Sequence, residues 1–217
     1  MKTRFYIIRH GESLGNMTKT FLGHTDLDLS PLGYKQAELT ADRLRDVSFD
    51  FIYSSDLIRA YNTALPHAKM RKLEVITSKE LREINVGRWE GKTVDEIIAL
   101  DEELFYNGWR RNFGTCTPPD GESVIKGGER LYREIKRIGD KCPGKTVLIA
   151  THAAVLRSFW AMTIGMERDR IAEELHFAGN ASYSIIDYID GELEPIIYSE
   201  CDHLGDIATF VDEKIKK

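Results

Sequence analysis

Apolar residues along this chain gather in short runs, and these alternate with longer stretches where apolar residues recur at helical spacing. Phe5 to Ile8 is apolar and β-prone, and Gly11 stops it. Ser30-Pro31 then opens a helix expected to reach about Arg45, because Ser caps free N–H groups and Pro suits the first helical position. Phe51–Ser54 reads as a second strand and Asp56 to about Ala68 as a second helix, which Pro66 is expected to end or kink. Leu73–Thr77 is a third strand candidate. From Leu81 to Gly127 regularity is lost among Gly, Pro, Trp and charged residues. Glu129–Ile138 is helical by periodicity, Thr146–Ala150 is a buried strand, and Val155 to Ile164 is helical again. Tyr183–Ile189 and Leu193–Tyr198 form a hairpin across Asp190-Gly191. This alternation predicts an α/β fold: a mainly parallel central sheet with helices on both faces.

Composition narrows the class. A chain of 217 residues with 42% hydrophobic content suits one globular domain, without repeats or linkers. No apolar run approaches the ~20 residues of a membrane span, and the N-terminus enters its first strand at once, which predicts no cleaved leader and no membrane partner. The three cysteines, Cys116, Cys142 and Cys201, are odd in number and far apart. That argues against a disulfide framework or a thiolate zinc site and predicts a reducing, cytoplasmic setting. A net charge of -5 argues against nucleic acid as a partner. Monomer and homodimer both remain open.

Three strand ends carry related chemistry. The first strand ends on Arg9-His10: a planar fork of donors suited to phosphate or carboxylate, then an imidazole able to act as nucleophile or base. The second runs into a helix whose first turn holds Arg59, and the Thr146–Ala150 strand runs into Thr151-His152-Ala153. In parallel sheets ligands bind at the carboxyl edge, so neighbouring strands would bring two arginines, two histidines and the N–H groups of helix starts to one place. Such a set suits a dianionic phosphoryl group. Singly, each has a plainer reading: Arg59 as a solvated helix charge, His152 as a capped core histidine.

These residues fall into blocks. Arg9-His10-Gly11-Glu12-Ser13 with Asn16, Gly23 through Gly33 (GHTDLDLSPLG), and Ser54-Ser55-Asp56-Leu57 with Arg59-Ala60 and Thr63-Ala64 come first. Leu81-Arg82-Glu83 with Gly87 and Trp89-Glu90-Gly91 follow, and Thr151-His152 closes the set. In order and spacing they resemble the histidine phosphatase superfamily, the phosphoglycerate-mutase-like group, over roughly residues 4 to 190. The resemblance implies a single such domain over 1–217, with an irregular or helical segment at about 84–128 covering the substrate, a small phosphate ester. It implies His10 as nucleophile forming phosphohistidine and Glu83 as proton donor and then base. Arg9, Arg59, His152 and the Ala153 amide would hold the phosphate, with Asn16, Leu22 and Gly23 on the substrate side. It implies no cofactor and no metal, since Arg and His supply the positive charge.

Within the superfamily, the cofactor-dependent mutases place Arg-His-Tyr after that glutamate, whereas this chain has Ile84-Asn85-Val86. That sequence, Gly87-Arg88-Trp89-Glu90-Gly91 and Pro118-Pro119-Asp120-Gly121-Glu122-Ser123 resemble the phosphatase branch. Trp109-Arg110-Arg111 points towards the mutases, as a substrate-gripping lid, or else is a solvated turn. Hydrolysis is therefore expected, with a mutase or a silent phospho-ligand-binding module as alternatives. Two positions depart from the pattern: Leu22 is apolar where a polar residue is common, and Ala153 stands where Gly is usual. Asp26 and Asp28 read as turn and capping residues, His24 as lining the mouth of the site, and His67, His176 and His203 as ordinary histidines.

Overall fold

In the computed structural model, which describes residues 1–209, the alternation resolves into six strands and seven α-helices among the described residues. The strands are β1 (Thr3–Arg9), β2 (Phe51–Ser54), β3 (Val75–Thr77), β4 (Thr146–Thr151), β5 (Tyr183–Ile189) and β6 (Glu192–Glu200). The helices are α1 (Leu14–Met17), α2 (Pro31–Arg43), α3 (Ile58–Arg71), α4 (Val94–Glu103), α5 (Val124–Lys141), α6 (Ala153–Thr163) and α7 (Ile171–Glu174). One sheet runs in the order β3-β2-β4-β1-β5-β6. β1, β2, β3 and β4 pair in parallel, β5 lies antiparallel to β1, and β6 antiparallel to β5. The last two form the expected hairpin, with Asp190 and Gly191 both at positive φ, as a two-residue turn of this hand requires.

Strand periodicity of two splits the apolar residues between two cores. Phe5 and Ile7 of β1 and Val147 and Ile149 of β4 face a core shared with Leu131, Ile135 and Ile138 of α5 and Val155, Leu156 and Phe159 of α6. Ile8, Leu148 and Ala150 face the opposite core with Ile52 and with Ala60, Ala64 and Ala68 of α3. Both faces are thus covered, which explains why the central strands read as unbroken apolar runs.

The structure differs from the expected elements where tertiary contacts outweigh local signals. Pro66 lies inside α3, and the helix continues to Arg71 with Lys72 as a left-handed cap. One missing N–H is offset there by the alanine face packed on the sheet. α5 begins at Val124, capped by Ser123, five residues before the expected start at Glu129. Gly127-Gly128 looks like a helix breaker, but a Cβ on Gly128 would lie 2.3 Å from Ser158 Oγ, so glycine lets α5 approach α6 closely. The stretch expected to be irregular or helical contains α4, which is kinked at Asp101, followed directly by a π-helical segment, Leu104–Arg111. Asp101 accepts the Trp89 indole N–H at 2.9 Å. No helix among the described residues is long and apolar enough to cross a membrane.

Candidate active site

Parallel pairing puts the cationic strand ends side by side. Arg9 of β1 is in register with Thr151 of β4, and the His10 amide donates to Thr151 O at 3.0 Å. On the other side of β4, the Ser55 amide donates to Ala150 O at 2.9 Å, which leads the chain into α3 and Arg59. The rings of His10 and His152 are 5.2 Å apart between centroids. All four groups are buried: Arg9 is 2%, His10 5%, Arg59 1% and His152 0% exposed. A solvated helix charge is therefore the wrong description of Arg59.

Three of the four groups are held by main-chain carbonyls. His10 Nδ1 lies 2.7 Å from Gly11 O. A carbonyl only accepts, so Nδ1 carries the proton and Nε2 keeps its lone pair. Arg9 Nη1 donates to Ala178 O at 2.5 Å. Arg59 donates from Nη2 to Gly23 O at 2.8 Å and from Nη1 to Thr25 O at 2.9 Å, while its buried Nε has no hydrogen-bond partner among the described residues. Neither ring nitrogen of His152 has one either. His152 is the residue before α6, in the N-cap position, and Ala153 is the first residue of that helix.

Burial sets the charge states. It pulls both guanidinium pKa values down to about 10, against the raising effect of the Glu83 carboxylate, so both remain cations at neutral pH. The two imidazoles are held well below the usual histidine range, first by burial and then by Arg59, with Arg9 adding to the effect on His10. The site therefore combines permanent cations with neutral imidazoles.

Glu83 approaches from the segment after β3. Its Oε1 accepts from the amides of Ile84 at 2.9 Å and Val155 at 2.8 Å, and its Oε2 from Ala154 at 3.0 Å. The first turn of α6 thus grips the carboxylate, which suits the positive end of a helix dipole. The Glu83 main-chain carbonyl accepts from His24 Nε2 at 2.9 Å and Arg130 Nη2 at 3.2 Å. His24 is accordingly tied to the main chain of Glu83.

The substrate-side candidates have mixed surroundings. Asn16 closes a capping box on α1, its Oδ1 accepting from the Ser13 amide and hydroxyl, both at 3.0 Å. Leu22 is buried, and a Cβ on Gly15 would lie 2.5 Å from its Cγ. Gly23, at positive φ, gives its carbonyl to Arg59 and leaves room for Glu90, whose Oε1 a Cβ here would meet at 2.1 Å. Trp109 is not part of a solvated turn: it packs in an aromatic core with Phe21, Phe113 and Phe177, while Arg110 and Arg111 are exposed. Asp26 accepts the Ile58 amide at 2.8 Å and Asp28 holds Leu29, Tyr34 and Asn62, the turn and capping roles expected of them. Among the described residues no group of three or more His, Cys, Asp or Glu could hold a metal ion. His67 is a core residue, whereas His176 and His203 are partly buried.

Three organising residues escape a reading from sequence. Glu90 accepts the His24 and Thr25 amides, both at 2.8 Å, and so shapes the carbonyls that hold Arg59. Arg130 pairs with Glu122 and also donates to the carbonyls of Glu80 and Arg82, holding the Glu83 segment. Asn180 donates to His10 O at 3.1 Å. Glu90 at least lies in the Trp89-Glu90-Gly91 block; Arg130 on a helix and Asn180 in a turn carry no local mark of function.

Comparison with known proteins agrees with this geometry. A model of the histidine phosphatase superfamily (branch 1) matches residues 5–198. Phosphoglycerate mutase-like protein 4 of Arabidopsis thaliana is 33% identical over 202 residues, covering 91% of this chain and 85% of its own. Among solved structures, YhfR of Bacillus stearothermophilus has a TM-score of 0.88 at 30% identity, over 93% of this chain and 99% of that one. The α-ribazole phosphatase of Shigella flexneri has a TM-score of 0.78 at 29% identity, over 91% and 96%. With the buried arginine and histidine pairs at the carboxyl edge of the sheet, these matches place the chain in the histidine phosphatase superfamily.

Proposed function

We propose that this protein is a phosphomonoester hydrolase that acts without a metal, through a phosphohistidine on His10, on a small phosphorylated metabolite. The observation that carries the reading is the state of His10: buried, neutral, and tied through Nδ1–H to Gly11 O, with its lone pair on Nε2. Nε2 attacks phosphorus as the bond from phosphorus to the leaving alcohol oxygen breaks. Glu83, entering the step in its acid form, gives that oxygen its proton. Then Glu83, now a carboxylate, takes a proton from water as the water oxygen attacks phosphorus and the N–P bond breaks. Inorganic phosphate leaves, and both residues return to their first state. Arg9, Arg59, His152 and the Ala153 amide hold the non-bridging oxygens, where charge is spread in the transition state.

Asn16, Leu22 and Gly23 form the substrate side in this proposal, and residues 84–128 of the single domain contribute leaving-group recognition. Hydrolysis is favoured over the mutase alternative by the residues after Glu83. Ile84 and Val86 are buried in the core and Asn85 Oδ1 accepts the Gly87 amide at 2.8 Å, so no cation stands there for a second anionic group. The three cysteines are free, in keeping with a reducing cytoplasm.

The test is hydrolysis of a generic aryl phosphate in the presence of a chelator, with acid-labile phosphate trapped on the protein. Turnover is expected, and none with His10→Ala; turnover by that variant overturns the mechanism. Interconversion of 3- and 2-phosphoglycerate that depends on 2,3-bisphosphoglycerate and outpaces hydrolysis would instead establish the mutase.

A further inference from the structure

The Gly11 carbonyl sets the tautomer of His10, so its own orientation matters. The peptide group that carries it also carries Glu12 N, and the preceding peptide group carries His10 O. Both are held by buried side-chain amides. Glu12 N donates to Gln36 Oε1 at 2.8 Å, and Asn180 Nδ2 donates to His10 O at 3.1 Å. Gln36 and Asn180 are each fully buried. Thr209 joins these amides: Gln36 Nε2 donates to its Oγ1 at 3.0 Å, and that hydroxyl donates to Asn180 Oδ1 at 3.2 Å.

The donor directions in this ring are forced. A main-chain N–H must meet Gln36 Oε1, so Gln36 presents Nε2 to Thr209. Thr209 has one proton, and it goes to Asn180 Oδ1, so Asn180 presents Nδ2 to His10 O and to Asn16 Oδ1 at 3.1 Å. Rotating the Asn180 amide by half a turn would set its oxygen against the His10 carbonyl. The Asn180 amide N–H also donates to Thr209 O at 3.1 Å, which fixes the distance.

We infer that Thr209, beyond residue 198 where the family match ends, is a positioning residue for the nucleophile: its hydroxyl orients the Asn180 amide that holds the His10 main chain. The inference rests on His10 as the nucleophile of the proposed hydrolase. It assigns to the segment after β6 a part in catalysis that touches no substrate.

The experiment uses the full-length enzyme with an aryl phosphate as substrate and inorganic phosphate as inhibitor. Thr209→Val keeps the shape and removes the hydroxyl, and kcat is expected to fall about tenfold, since small misplacement of a reacting group is costly. The inhibition constant of phosphate should not move, because Arg9, Arg59 and His152 are untouched. Thr209→Ser should keep kcat within about twofold of the parent. Adding Thr209→Val to Asn180→Ala should cost nothing further. Wild-type kcat in Thr209→Val, an equal loss in Thr209→Ser, or losses that multiply in the double variant would each overturn the inference. Should Thr209→Val fail to fold, Asn180→Asp decides: an oxygen facing His10 O should lower kcat more than Asn180→Ala does, and the reverse order refutes the idea. If His10→Ala is dead while Thr209→Val equals the parent, only this inference falls. If His10→Ala turns over, the hydrolase reading falls first and this one with it.

Discussion

Replacing Glu83 with Gln separates its two proposed chemical tasks from its place in the fold. The carboxylate accepts three main-chain N–H bonds, at 2.9, 2.8 and 3.0 Å, two on Oε1 and one on Oε2. A glutamine that keeps its oxygen at the Oε1 position turns an NH2 group towards the Ala154 N–H, so one charge-assisted bond is lost. At about 1.5–3 kcal/mol for such a bond, the expected destabilisation is about 2 kcal/mol. For a chain of this size that is roughly 4–8 °C in thermal midpoint. The chemical effect should depend on the substrate. An alkyl phosphate needs its leaving oxygen protonated, so kcat/KM should fall by on the order of 10² to 10⁴. A nitrophenyl phosphate releases a phenolate that is stable without a proton, so its kcat/KM should fall far less. Hydrolysis of the phosphoenzyme, now without its base, becomes slow for both, and rapid mixing should show a burst of nitrophenolate equal to the enzyme concentration. Equal losses in kcat/KM for alkyl and aryl esters, with no burst, would refute Glu83 as proton donor.

Two further outcomes follow from the same contacts. His67 is buried with neither ring nitrogen bonded, and burial, with Arg71 nearby, pulls its pKa to about 3. Unfolded, it titrates near 6.5, so between these values the unfolded chain binds the extra proton and stability falls with falling pH, by up to about 1.4 kcal/mol per pH unit. His67→Leu should flatten the urea midpoint against pH on the acid side, although His10 and His152 act in the same direction; a curve parallel to the parent would contradict this. Asp26 caps α3 from a distant loop, because Leu57 at the N-cap offers no side-chain bond. Asp26→Ala should cost about 1 kcal/mol, roughly 2–4 °C in a thermal melt, and an unchanged midpoint would refute the capping role.

Elements whose signal lies in neighbouring residues were legible. β2, the α2 start at Ser30-Pro31 and the Asp190-Gly191 turn need only local chemistry, and they stand where the sequence puts them. Errors fall where distant atoms decide. Pro66 and Gly127-Gly128 are breakers by propensity, yet packing on the sheet and the close approach to Ser158 keep both helices running. Trp109 reads as part of either a solvated turn or a lid, and its aromatic contacts remove the solvated turn.

The sequence by itself determined the residue types for phosphoryl chemistry and the strand ends that carry them, because strand period, caps and ordered blocks are written in local spacing. Only the tertiary structure decided how those groups are held. The grip of α6 on Glu83 spans 71 and 72 residues of chain, and the bond from Asn180 to His10 spans 170. Hydrogen bonds are short and directional, and no periodicity in a sequence reports which distant donor will lie 3 Å from an acceptor. The neutral state of His10 is likewise a property of burial among two arginines, which exists only once the sheet has assembled.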